Sequence, residues 1–99
     1  MKTFGYEINI AKSAGAFAEN KDLAKRWREK KIFPALKMNL DVTLDFSGVE
    51  AVTQSFIHAL ISAPLREYGE EALKRIIFKS CKASVKQIIL TVIEYSLDK

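Results

Sequence analysis

The stretch from residue 40 to residue 59, LDVTLDFSGVEAVTQSFIHA, limits what this chain can become more than any other. Leu40, Val42, Leu44 and Phe46 alternate with Asp41, Thr43, Asp45 and Ser47. A period of two marks a strand with one buried and one wet face. Gly48 breaks the alternation and permits a sharp turn. Thr53 then offers a side chain that accepts hydrogen bonds from the first free N–H groups of a helix. The order predicted is strand, tight turn, helix, with Ser55 in the first helical turn. These residues define architecture and a contact surface, and no reaction can be read from them.

The flanks extend the pattern. Residues 3–10, TFGYEINI, alternate as a second half-buried strand, with Phe4, Tyr6, Ile8 and Ile10 on one side. Residues 11–18, AKSAGAFA, read as a connection bent at Gly15, with a short irregular strand as the other reading. Asn20 or Asp22 can cap a helix running to about Lys31, with Leu23, Ala24, Trp27 and Ile32 as its inward stripe. Pro34 is expected to end that helix at or before Phe33, because proline disfavours the helical region for its predecessor.

Downstream of Gln54, an apolar stripe of Phe56, Ile57, Leu60, Ile61 and Leu65 predicts an amphipathic helix. Pro64 should kink or break it, and Gly69 should stop it after Tyr68. Residues 75–79, RIIFK, form a short apolar strand suited to an interior position. Ser84 with Gln87 makes a capping box for a last helix carrying Val85, Ile88, Ile89, Val92 and Ser96 on one face. Leu90, Ile93 and Leu97 widen the apolar surface of that helix.

A length of 99 residues fits one domain, 1–99. A chain of this size buries roughly 60–70% of its unfolded surface. The single cysteine, Cys81, cannot make an internal disulfide, so a reducing, cytoplasmic setting is expected. No uninterrupted apolar run near the N-terminus forms a secretion signal, and no segment is apolar enough to span a bilayer, so no membrane partner is expected.

The net charge of +4 points weakly to an acidic partner. Lys21, Lys25, Arg26, Arg28, Lys30 and Lys31 cluster around Trp27. This cluster reads as a solvated helix face with a core-facing Trp. The alternative is a small basic nucleic-acid-binding protein that uses the 21–31 helix.

Strand and helix alternate three times, and two of the three strands show a wet face. An α/β domain follows, with a mixed sheet of three or four strands, helices mainly on one face and at least one right-handed crossover. At this point VTLDFSGVEAVTQSFIHALI, together with the upstream AFAENKDLAKRWREKKIFPAL, resembles the STAS-like domains of unknown function, the DUF4325 type. These small bacterial or archaeal proteins are related in fold to the sulfate-transporter and anti-sigma-factor-antagonist (STAS) domains.

The resemblance implies a small SpoIIAA-like fold and a binding module. Anti-sigma-factor antagonists dock on a histidine-kinase-like ATPase and are switched by phosphorylation of a serine at the start of the helix after the central strand. Laid on this chain, their Asp-Ser-Ser-Gly turn places the Asp at Thr53, the first Ser at Gln54, the acceptor at Ser55 and the Gly at Phe56. The acceptor position matches. The candidate partner surface is then Ser55, Thr53, Gln54, Gly48, Glu50 and His58, with Ser55 as phosphoacceptor. The competing reading of Ser55 is a hydroxyl that satisfies backbone groups at a helix start.

Catalytic, metal and cofactor chemistry find little support. Asp41 and Asp45 lie four apart on a strand, roughly 13 Å between Cα atoms. His58 is the one histidine, so no Cys/His ligand spacing exists. Lys79 and Lys82 beside Cys81 could lower its pKa, yet an inert residue at a strand end is the plainer reading. No phosphate-cradling glycine loop or nucleophile elbow is present. A non-enzyme without cofactor is expected, with a homodimer through the surplus apolar surface of the C-terminal helix as a further partner.

Overall fold

The computed structural model describes residues 5–98. Strand β1 is Gly5–Asn9, and helix α1 follows at once as Ile10–Ala14. The strand expected over residues 3–10 therefore ends a residue early, and Thr3 and Phe4 lie outside the described residues. Asn9 is the reason: its side chain accepts the Lys12 N–H at 3.0 Å and turns the chain into helix. Ile10 still reaches the core, but from a helix. The connection bent at Gly15 holds a two-residue strand, β2, Phe17–Ala18.

Asn20 caps α2, Lys21–Trp27, accepting from the N–H groups of Asp22 and Leu23 at 3.0 and 3.1 Å. Pro34 does not end this helix. A π-helical turn, Arg28–Ile32, carries it into α3, Phe33–Lys37. The Phe33 N–H bonds the Arg28 carbonyl five residues back. A widened turn takes up the residue whose missing N–H and bulky ring would break a regular α-helix.

Strand β3 is Asp41–Asp45, and a second two-residue strand, β4, Ala51–Val52, stands where the sequence reading had only a turn. Helix α4, Gln54–Ile57, passes through another π turn, His58–Ser62, into α5, Ala63–Tyr68. Pro64 follows that π turn as Pro34 follows the first, so the expected break is a change of pitch. The Ala59 carbonyl, which a π register would aim at the N–H that Pro64 lacks, accepts from Arg28 Nη1 at 3.1 Å. Gly69 ends α5 as expected, at φ 61°.

Helix α6, Glu70–Arg75, strand β5, Ile76–Lys79, and helix α7, Ala83–Leu97, complete the chain. The last segment is helical, yet Ser84 lies inside its first turn. Lys82 is the N-cap and makes no side-chain bond, so the expected capping box is not formed.

The main sheet has the order β1-β3-β5, and β2 pairs with β4 in a small second sheet. Every described pairing is parallel, which corrects the expected mixed sheet. The strand–helix alternation already demands this, since each helix carries the chain back to the same end of the sheet. In the main sheet β5 lies at an edge rather than inside, and Ile77, in register with Thr43 on the face away from the core, is 41% exposed.

One sheet face carries Ile8, Val42, Leu44 and Ile76 into the core, where Phe56, Ile57, Leu60, Ile61 and Leu65 meet them. The other face presents Glu7, Thr43 and Lys79, as a one-sided α/β layer requires. On α7 the core residues are Val85, Ile89, Val92 and Ser96. Of the apolar surplus, Ile93 and Leu97 are half-buried, and Leu90 is 51% exposed. No helix of the described residues is long and apolar enough to cross a membrane.

Candidate functional site

The elbow between β3 and α4 is held by local polar bonds. The Asp45 carboxylate accepts from the Ser47 N–H at 2.9 Å and from its hydroxyl at 2.7 Å. These two bonds, with a smaller contribution from Lys79, hold the Asp45 pKa below the ordinary carboxylate value against desolvation. Gly48 takes φ +82°, and the Val49 N–H closes the turn on the Phe46 carbonyl at 3.0 Å. The Thr53 N–H bonds the Ala18 carbonyl at 3.0 Å, so β2 fixes where the next helix starts. The Thr53 hydroxyl then accepts the Phe56 N–H at 3.0 Å, the cap that the sequence predicts.

With that start fixed, the first turn sorts its residues. Phe56 turns fully inward and meets Trp27 edge to face at 6.3 Å. The bulky ring at the position of the motif glycine is therefore absent from the surface. Gln54, Ser55 and His58 face outward. They line an open cleft of about 410 Å³ with Lys21, Ala59 and Tyr95. The Tyr95 hydroxyl lies 2.9 Å from His58 Nδ1, with the rings 5.7 Å apart. The cleft holds one lysine and no carboxylate among its lining residues. The first residue of α2 and the first turn of α4 share it, and both helix starts carry side-chain caps, Asn20 and Thr53.

The structure thus brings together Gln54, Ser55 and His58 from the sequence-predicted set. Thr53 stands beside them as the cap. Gly48 and Glu50 stay apart in the β3–β4 connection, where Glu50 pairs with Lys82 at 3.5 Å. Lys21, marked in the sequence only as part of the basic 21–31 cluster, and Tyr95, marked by no local pattern, join Gln54, Ser55 and His58 in the cleft; the packing of α2 and α7 against α4 delivers both.

Cys81 is a free, half-buried thiol at the end of β5. Burial pushes its pKa up, which outweighs the lowering by Lys86 and reverses the direction expected from its lysine neighbours. Among the described residues no group of His, Cys, Asp and Glu side chains is placed to hold a metal ion. In the basic cluster, Arg28 turns to the Ala59 carbonyl and to Glu29, and Lys31 lies over the Tyr6 ring at 5.4 Å from its centre.

Fold and cleft together define a one-sided α/β domain with a polar helix start displayed beyond the end of its central strand. The chain belongs to the family of STAS-like domains of unknown function (DUF4325), whose sequence model matches residues 24–86. No curated protein and no solved structure matches it. Lys21 and Tyr95 lie outside the matched segment, so the cleft joins family residues to flanking ones.

Proposed function

We propose that this chain is a non-catalytic regulatory module that docks on another protein through the surface around Ser55. The observation that carries this reading is the placement of Ser55. It is exposed in the first turn of a capped helix, and its cleft offers a lysine, an imidazole and a phenol but no carboxylate. A phosphoryl group there would meet helix N–H groups and positive charge, worth about 0.3–1 kcal/mol of local stabilisation. Modification would leave the fold intact and add nearly two negative charges to the docking face, enough to release or recruit a partner.

The partner fitting the family resemblance is a histidine-kinase-like ATPase, and the free Cys81 suits work in the cytoplasm. The nucleic-acid reading gains less. The Trp27 ring already packs on Phe56, and Arg28 is committed to the Ala59 carbonyl and the Glu29 carboxylate. The test incubates the chain with ATP and a histidine-kinase-like ATPase encoded beside it, followed by intact mass and pull-down. The expected result is capture of the unmodified chain and a one-phosphoryl mass gain that Ser55→Ala abolishes. Capture without the mass gain keeps the docking surface and removes the switch. Failure of both removes the reading.

A further inference from the structure

A second surface lies away from the cleft, where β5 meets α7. Among the described residues β5 pairs on one side only, with β3, so its outer edge shows unpaired backbone groups. Sheet edges are ordinarily blunted by shortness, lysines, bulges, prolines or a covering segment, because an open edge is a template for another strand; β5 is short and ends in Lys79, but its other three residues are apolar. Here the edge reads Ile-Ile-Phe-Lys. Beside it runs a groove of about 210 Å³ lined by Phe78, Cys81, Lys86, Ile89, Leu90 and Ile93. The groove is mainly apolar, and Leu90 is 51% exposed at its rim. Its one charge is Lys86, which makes no ion pair among the described residues.

The geometry points to this edge and groove as a docking site for an extended, acidic segment of a partner protein, added as a strand to β5. In strand addition, main-chain bonds supply affinity and alternate side chains supply specificity. Residues two apart on a strand share a face. One apolar side chain of the incoming segment fills the groove, and a carboxylate two positions away on the same face meets Lys86. The recognised pattern is apolar, any residue, acid.

A second copy fits the surface less well. A twofold interface on this groove would bring Lys86, the lining charge with no ion pair among the described residues, toward its own copy in a chain already carrying +4.

The test uses three short synthetic strand-forming peptides on one scaffold: apolar-x-acid, apolar-x-lysine, and serine-x-acid. They are titrated into the full chain and followed by amide chemical shifts. The apolar-x-acid peptide should bind tightest and move Ile76, Ile77, Phe78 and Lys86 through Ile93, leaving Ser55 and His58 unmoved. Exchanging acid for lysine should weaken binding by about five- to tenfold. Lys86→Glu should invert that order, and Leu90→Arg should abolish binding; both positions are exposed, and circular dichroism checks that each variant folds. Equal affinity for both charged peptides, shifts centred elsewhere, or no binding of any peptide overturns the inference. So does a dimer mass by light scattering that Leu90→Arg abolishes, which would make a second copy the occupant.

Discussion

Two of the connections that lead from the main sheet into a long helical segment differ sharply: the one from β3 through residues 46–53 and the one from β5 through residues 80–82. The first connection is tied by many backbone and side-chain bonds. Asp45 holds Ser47, Gly48 takes the left-handed turn, and Thr53 closes the helix start. The second is short and poorly tied. Ser80 sits at φ 59° without being glycine, Lys82 caps α7 with no side-chain bond, and the Cys81 thiol is 4.0 Å from the Lys79 carbonyl. The first delivers a polar first turn to a cleft, with its large apolar residue buried. The second leaves an apolar groove and a cation open beside a sheet edge. A connection that spends residues on its own hydrogen bonds can display polar groups in a fixed geometry. One that does not leaves the neighbouring helix and strand to be finished by something else.

The sharpest test of that contrast is core commitment at the two helices. Phe56→Ala should cost about 3–5 kcal/mol in denaturant unfolding, because a fully buried ring leaves a cavity. Leu90→Ala should stay within about 0.5 kcal/mol. Equal costs would mean that the groove is part of the folded core. Next come the caps. Thr53→Ala should lose about 1 kcal/mol, whereas Ser84→Ala should change stability by less than about 0.5 kcal/mol. A Ser84 effect as large as that of Thr53 would restore the capping box.

The backbone turns should respond with opposite signs. Gly48→Ala should destabilise by about 1 kcal/mol, and Ser80→Gly should stabilise by roughly 0.5 kcal/mol, since both positions have positive φ. The smallest effect is in pH. Asp45 has its pKa depressed in the fold, so its support is complete above the ordinary carboxylate value and fades as pH falls below about 4. Cys81 has its pKa raised, so its support is complete below the ordinary thiol value and fades as pH rises past about 8.5. Unfolding midpoints followed from acid to base should lose the acid limb in Asp45→Asn and the alkaline limb in Cys81→Ser.

Much of the fold was legible because its signals are local. Period-two alternation placed β3 to within a residue, and Thr53 and Gly69 did their expected work at the helix ends. The misses share a cause. Alternation runs on through Asn9 as if it were a strand residue, although its side chain ends the strand. The rule that makes Pro34 an end and Pro64 a kink or break assumes a regular α-helix; π turns precede both prolines and carry the helix through. Strand β4 leaves no mark in the sequence because two residues show no periodicity, and it exists only through its pairing with β2.

By itself the sequence determined the α/β class, the one-sided sheet and the outward position of Ser55. Each depends on neighbours along the backbone: side-chain period, a capping hydroxyl, a glycine turn. Only the tertiary structure decided the strand order that puts β5 at an edge, and that Lys21 and Tyr95 complete the cleft around Ser55 and His58. Those facts join residues tens of positions apart. Such contacts form because burying the shared apolar face outweighs the entropy of closing the intervening loops, a balance set by the whole core.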